Sequence, residues 1–432
     1  METKEIAKVT ALTGEVLIPG DKSISHRSVM FSALADTPVR ITNFLAGADC
    51  LSTAKCMQKL GANVEFINDT ELIVTGHGIH GLKEPDSIID AGNSGTTLRL
   101  MLGILAAQPF LTTFTGDASL HKRPMGRVIK PLTTMGAAIY GRDNNQKLPI
   151  TIVPAKNKLQ GIVYKSPVAS AQVKSAILLA GMYAEGETTV IEPVTSRDHT
   201  EKMLAAFGVE TYKKDTAVTI KPVEKFTAPS LIEVPGDISS AAYWLVAGLI
   251  IKGSKLLLKN VGVNITRTGI IDVLQAMGGK LTIKNKRTSG GEQAADILVE
   301  YSDLRATKFG AEIMPRLIDE IPIIAVAALF AEGDTVIEGA GELRVKETDR
   351  LAAIAKEFNK LSPGAVEEKA DGLIIHGKKS IKKAQVFSYD DHRIAMALTI
   401  LGAAAEGVII ENPDCVNISY PTFYQTLEEL CK

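Results

Sequence analysis

Apolar and small residues gather along the chain into blocks about ten residues long, and short β-branched runs follow them. The pattern predicts a helix over Val29–Ala35, a strand over Val39–Asn43 and a helix over Cys50–Leu60 that stops at Gly61. A helix closing in Gly before Ala62-Asn63-Val64-Glu65-Phe66 fits a left-handed C-cap leading into a strand. The same order returns as a helix over Tyr243–Ile251, a strand over Lys255–Asn260 and a helix over Arg267–Met277 before Gly278. The two copies open on related segments. Pro19-Gly20-Asp21-Lys22-Ser23-Ile24-Ser25 matches Pro235-Gly236-Asp237-Ile238-Ser239-Ser240-Ala241, 216 residues later in a chain of 432.

A finer repeat lies inside each half. Strand-like runs begin at Pro38, Phe110, Thr188, Lys255, Thr335 and Val408, spaced about 67–80 residues apart. Most lead through a polar loop into an amphipathic helix, as at His199–Phe207 and Thr348–Phe358. Six mixed α/β units, three per half, account for this. The period is too long for a solenoid of about 20–50-residue repeats. The expected architecture is therefore α/β in two similar domains with a cleft between them, where ligand sites concentrate. One domain spans residues 21–234. The other combines 1–20 with 235–432.

Composition narrows the function. The 48 Lys+Arg and 49 Asp+Glu give a formal charge of −1, which argues against a nucleic-acid binder with its excess of basic residues. Cys50, Cys56, Cys415 and Cys431 form no Cys-x-x-Cys pair and have no neighbouring His, so neither a disulfide framework nor a metal site is expected. Met1–Pro19 lacks the apolar core of a signal peptide, and the longest uncharged stretches fall short of the ~20 residues a membrane span needs. The expectation is a cytoplasmic, monomeric protein without a membrane or nucleic-acid partner.

Candidate chemistry lies in cationic segments placed just before predicted helices. Asp21-Lys22-Ser23-Ile24-Ser25-His26-Arg27 opens an apolar helix, where backbone N–H groups and the helix dipole favour anions. Asp90–Arg99 is a Gly-rich turn between a strand-like run and a helix, without the Walker or dinucleotide-binding pattern. Three further clusters are His121–Arg127, Leu343–Arg350 and Asp390–Arg393. Singly, each reads as readily as a solvated face. Recurring before helices in both halves, they suit a doubly anionic ligand, since Arg matches phosphate and carboxylate bidentately. Asp319-Glu320, beside the apolar helix Ile321–Phe330, is either a helix-start cap or a proton-transfer pair.

Seven segments in one order resemble the 5-enolpyruvylshikimate-3-phosphate synthase family: PGDKSISHRSVMFSALA at 19–35, AGNSGTTLRLM at 91–101, GDASLHKRPMGRVIKPL at 116–132, SAQVKSAILLAG at 170–181, LIDEIPIIAVAALFAEG at 317–333, LRVKETDRLAAI at 343–354 and DDHRIAMAL at 390–398. The resemblance implies two domains, each of three βαβαββ units (an inside-out α/β barrel). It implies transfer of the enolpyruvyl group of phosphoenolpyruvate to the 5-hydroxyl of shikimate 3-phosphate, with no cofactor and no metal. It places Ser23, Arg27, Ser170 and Gln172 on shikimate 3-phosphate. Lys22, Arg123, Gln172, Arg350 and Arg393 fall on phosphoenolpyruvate, together with backbone around Asn93, Gly95 and Thr96. Asp319 and Lys346 face the shikimate hydroxyls. Glu347 is expected to deliver the proton to the methylene carbon, and Asp319, with Lys22, to take the hydroxyl proton. A sister family uses a UDP-sugar acceptor and usually carries a Cys in the loop that here reads LHKRPMGRV. Near the C-terminus, Asn417-Ile418-Ser419-Tyr420-Pro421 stands where many members have a Lys. A non-catalytic binder of phosphorylated metabolites would keep the cations without Asp319 and Glu347.

Overall fold

The computed structural model describes residues 2–431. The chain divides into two compact units. Unit 1 takes the described residues up to Pro19, then Gly236–Arg287 and everything from Gln293 onward. Unit 2 is Gly20–Pro235 together with Thr288–Glu292, the tip of a hairpin whose strands are Lys280–Ser289 and Glu292–Glu300.

Unit 2 is built of three four-stranded sheets with one shared pattern. In the first, Leu231–Glu233 runs parallel to Val39–Thr42, with Ile232 opposite Ile41. Val39–Thr42 then pairs antiparallel with Glu71–Thr75, which pairs antiparallel with Asn63–Asn68. The other two sheets repeat one parallel pair followed by an antiparallel hairpin, around Thr112–Thr115 and Thr188–Ile191. Unit 1 shows the pattern around Lys255–Gly262 and Asp334–Ile337. Its third sheet has three strands, with Thr3–Ile6 antiparallel to Val408–Glu411 and Gln385–Phe387 parallel to it.

Nine helices position the candidate residues. In unit 2 they are α1 (Lys22–Ala33), α2 (Ala48–Lys59), α3 (Gly95–Leu105), α4 (Ala171–Gly181) and α5 (His199–Ala206). In unit 1 they are α6 (Ile238–Ile250), α7 (Ile321–Phe330), α8 (Arg350–Leu361) and α9 (His392–Ala404). Helices α6, α7 and α9 pack on one another, and so do α1, α3 and α4 in sequence. All six are buried around most of their circumference, five of them with mainly apolar residues and α1 with many buried polar ones, and the sheets lie outside them. Small residues allow the close approach. At Gly103 on α3, an added Cβ would stand 2.3 Å from the carbonyl oxygen of Ala176 on α4.

Five of these six helices start with Asp21, Ser94, Ser170, Asp237 or Asp391, whose side chain accepts a backbone N–H of the first turn. Such caps satisfy amides that the helix itself cannot pair. The exception is α7, whose start carries no side-chain cap, so Asp319 and Glu320 are not capping residues. They sit in a 3₁₀ turn over Ile318–Glu320.

Several helix starts differ from the sequence expectation. Helix α1 begins at Lys22 instead of Val29, and α6 at Ile238 instead of Tyr243. The polar run Ser25-His26-Arg27-Ser28 reads as a loop but is buried within the helix. Arg267 and Thr268 precede the Gly269–Ala276 helix that was expected to start at Arg267. Cys50 and Cys56 are buried thiols, and burial pushes Cys56 up to about 12. Among the described residues no helix is long and apolar enough to cross a membrane, and no cluster of His, Cys, Asp and Glu is arranged to hold a metal ion.

Candidate active site

Four of the six buried helices keep solvent-reaching polar positions at their N-terminal ends. On α1 these include Lys22 and Ser23; on α3, Thr96 and Arg99; on α4, Gln172; on α9, Arg393. Burial elsewhere leaves these ends as the places where polar chemistry is exposed, and most of the candidate residues cluster there.

In unit 2, hydrogen bonds and ion pairs hold the candidates in several small groups. Lys22 forms an ion pair with Asp49 in the first turn of α2. Arg27 is buried, and its three nitrogens each donate within the protein. Nε meets Thr200 Oγ1 at 2.8 Å, Nη1 the Ser23 carbonyl at 2.9 Å and Nη2 Ser175 Oγ at 2.9 Å. Burial pulls its pKa down to about 10, against the raising influence of Glu201, Asp21 and Glu292. The nearby Arg197 adds repulsion. Gln172 bridges two helices, receiving Arg99 Nη1 at 2.5 Å and donating to Thr96 Oγ1 at 3.0 Å. Asn93 donates to Asp117 at 2.6 Å and receives Arg123 Nη2 at 3.3 Å. An added Cβ at Gly95 would stand 3.3 Å from both Arg123 Nη1 and Arg99 Nη1. Among the described residues, no protein acceptor meets the N–H groups of Gly95 and Thr96. A capped helix start with unpaired amides beside two guanidinium groups is suited to an oxyanion. Ser170 caps α4, and its own N–H donates to Glu192 at 3.0 Å. Glu192 pairs with the buried Lys174, which Glu201 also contacts at 2.8 Å. Burial opposes the Lys174 charge, but Glu201 and Glu192 outweigh it and hold its pKa above the ordinary value.

In unit 1, Asp319, Lys346, Glu347, Arg350 and Arg393 also come together. Arg350 is the hub. Its Nε donates to Asp391 at 2.8 Å, its Nη2 to Glu347 at 2.7 Å and its Nη1 to Asp319 at 3.4 Å. Burial works against that charge, yet Asp391 and Glu347 keep Arg350 above its ordinary pKa. Lys346 Nζ lies 3.3 Å from Asp319. Arg393 donates to the Asp319 carbonyl at 3.3 Å, and its backbone N–H to the capping Asp391 at 2.9 Å. Behind them, Glu320 accepts from Ser239, and Arg267 donates to Ser239 at 2.7 Å and Asp237 at 3.2 Å. Arg344, from the same cationic segment, instead binds Asp349, Glu368 and the Lys369 and Ala370 carbonyls. The C-terminal stretch adds no cation. Tyr420 is buried and receives the Trp244 indole N–H at 2.9 Å.

Sequence reasoning missed the partners that these residues meet. Asp49, Thr200 and Arg197 carry no local signal, and Ser175 lay inside a recognised motif without a role, since their significance arises only when distant helices pack. Asp391 and Arg99 lay inside recognised motifs without a role.

The model of the family described as EPSP synthase (3-phosphoshikimate 1-carboxyvinyltransferase) matches residues 6–427. A 3-phosphoshikimate 1-carboxyvinyltransferase from Bacillus subtilis (strain 168) is 53% identical over 427 residues, covering 98% of this chain and 99% of the relative. One from Bacillus thuringiensis (strain Al Hakam) is 53% identical over 424 residues, covering 98% of each. The solved EPSP synthase of Acinetobacter baumannii superposes with a TM-score of 0.91 at 41% identity, covering 100% of this chain and 98% of that one. An enolpyruvyl transferase from Streptomyces tendae shares the fold, with a TM-score of 0.79 at 18% identity over 99% of this chain and 96% of that one.

Proposed function

Because the chain belongs to the EPSP synthase family, whose reaction joins phosphoenolpyruvate to shikimate 3-phosphate, we propose that its two residue clusters divide that reaction between substrate charge and proton movement. The protein is a transferase of aromatic amino acid biosynthesis. It moves the enolpyruvyl group to the 5-hydroxyl of shikimate 3-phosphate and releases phosphate.

The residue roles are our reading. Ser23, Arg27, Ser170 and Gln172 hold shikimate 3-phosphate. Lys22, Arg123, Gln172, Arg350 and Arg393, with the free amides of Gly95 and Thr96, hold phosphoenolpyruvate. Its carboxylate and phosphate together demand several cations. Asp319 takes the proton of the 5-hydroxyl, supported by Lys22, while Lys346 orients the hydroxyls. As the hydroxyl oxygen bonds to the second carbon of phosphoenolpyruvate, Glu347 protonates the methylene carbon. A tetrahedral intermediate results. Loss of a proton from the new methyl group then expels phosphate and restores the double bond.

The observation that carries this reading is the placement of Asp319 and Glu347 on one guanidinium, that of Arg350. Arg350 opposes protonation of Glu347. An anionic ligand sharing Arg350 relieves that opposition, so the acid forms when substrate is present.

Action as a cytoplasmic monomer belongs to the same proposal. It is supported by the presence of both clusters on one chain, and sedimentation of the purified protein at assay concentration tests it. Phosphate release from phosphoenolpyruvate is the direct assay, with shikimate 3-phosphate and UDP-N-acetylglucosamine as parallel acceptors. Release with shikimate 3-phosphate alone is expected. Release with the nucleotide sugar alone would reassign the acceptor.

A further inference from the structure

Behind the unit 2 candidates lies a chain of four buried groups that none of the roles above uses. His26 on α1 places Nδ1 2.6 Å from Thr53 Oγ1 on α2. Thr53 Oγ1 lies 2.6 Å from Thr97 Oγ1 on α3. Thr97 donates to Ser94 Oγ at 2.7 Å, and Ser94 Oγ also accepts the Thr97 N–H at 3.1 Å as the α3 cap. All four residues are fully buried.

The protons can be counted along this chain, since each hydroxyl has one to give. Thr97 gives its proton to Ser94. The bond between Thr53 and Thr97 is then donated by Thr53, and the bond between His26 and Thr53 by His26 Nδ1–H. His26 is therefore the neutral Nδ1–H tautomer. Its Nε2 is buried and has no hydrogen-bond partner among the described residues, so a second proton there would find no acceptor. Burial, against the nearby Asp49 carboxylate and helped by the Lys22 and Arg27 charges, pulls His26 down to about 3, which agrees. Thr53 Oγ1 also lies 3.5 Å from the Asp49 carbonyl, at the limit of a hydrogen bond, and the 2.6 Å contact to Thr97 takes its proton, which gives every link in the chain one donor direction. The chain starts one residue from Arg27, and it ends on the cap that sets where the Gly95 and Thr96 amides point.

We propose that His26 and Thr53 are positioning residues for the anion-binding turn, fixing the Gly95 and Thr96 amides through Thr97 and Ser94. The inference rests on the reading that this turn holds phosphoenolpyruvate. Helices α1 and α2 are thereby locked to the start of α3 by neutral groups only. The lock adds no charge to compete with the ligand.

Thr53→Val keeps the shape and removes the hydroxyl, while Thr53→Ser keeps the hydroxyl. Steady-state kinetics with each substrate varied in turn tests the idea, with a thermal melt confirming folding. Thr53→Val is expected to raise KM for phosphoenolpyruvate about tenfold or more. The KM for shikimate 3-phosphate and kcat should stay within about threefold, and Thr53→Ser should return the lost affinity. His26→Asn, which keeps a donor near the Nδ1 position, should be milder than His26→Leu. Asn93→Ala, at the turn itself, is the control. If it raises KM for phosphoenolpyruvate and Thr53→Val does not, the positioning role is overturned and the turn's assignment stands. If neither variant moves KM, both are overturned. Equal loss in Thr53→Val and Thr53→Ser, or equal rises in both KM values, reduces the chain to a stability element and also overturns the proposal.

Discussion

Arg27 and Arg350 are both buried arginines among the candidate residues, and their surroundings are opposite. In unit 2, Arg27 is held by two hydroxyls and a carbonyl. In unit 1, Arg350 is held by three carboxylates, Asp391, Glu347 and Asp319. Neutral partners satisfy the N–H groups of Arg27 while leaving much of its charge uncompensated, and its pKa falls. Carboxylates compensate Arg350 and raise it. The helices that open the two halves differ in the same way. Where α1 carries Lys22, His26 and Arg27, the repeat-equivalent α6 carries Ile238, Ala242 and Tyr243. Unit 1 has closed that position with an internal Arg267–Asp237 pair and draws its site cations from elsewhere. Two copies of one architecture have thus come to bury a guanidinium among neutral partners in one and among carboxylates in the other.

The largest effect should come from the carboxylate side. Asp319→Asn is expected to lower kcat by about 10²–10⁴, the usual worth of a general base, while its melting curve stays near that of the parent. Near-normal turnover would remove Asp319 from the proton path. Arg350→Met should be next. It strands three acids, so a loss of about 3–5 kcal/mol is expected in urea unfolding, by analogy with other broken buried pairs. Arg27→Gln should do the reverse. Affinity for shikimate 3-phosphate should drop by about 10–100-fold in a titration, since a charge-assisted bond is worth roughly 1.5–3 kcal/mol. Unfolding stability should change far less than for Arg350→Met. Comparable destabilisation by the two variants would erase the contrast between the units.

The last effect appears only in acid. Folded His26 sits at about 3 against an ordinary 6.5. Between those values the unfolded chain takes up a proton that the folded chain refuses. Stability is therefore full above pH 6.5 and is lost as pH falls through that window, by at most about 1.4 kcal/mol per pH unit. His26→Asn should show a shallower decline between pH 6 and 4 than the parent. Parallel declines would mean that His26 is not kept neutral by the fold.

The repeat was readable because it is carried by chain-local patterning. The strand runs at Thr188, Lys255, Thr335 and Val408 lie within a residue or so of the observed strands, and α7 spans Ile321–Phe330 as expected. The start of α1 was not readable. Ser25, His26 and Arg27 are buried against partners 20 to 173 positions away, and no local pattern reports that they are paired there. The candidate residues themselves were legible through their motifs, since several charges stand together before helices. What completes them was not. Asp49, Thr53 and Thr200 are ordinary helical residues until helix packing brings them to Lys22, His26 and Arg27.

At Gly103, the backbones of α3 and α4 touch where a side chain would otherwise intervene. Thr96 lies seven residues up α3, about 10 Å along its axis, and there meets Gln172 of α4. The glycine therefore acts as the fulcrum of a pair of tongs. Any bulk inserted at the pivot spreads the tips, so a change deep among apolar residues would present itself at the bench as a defect in grip.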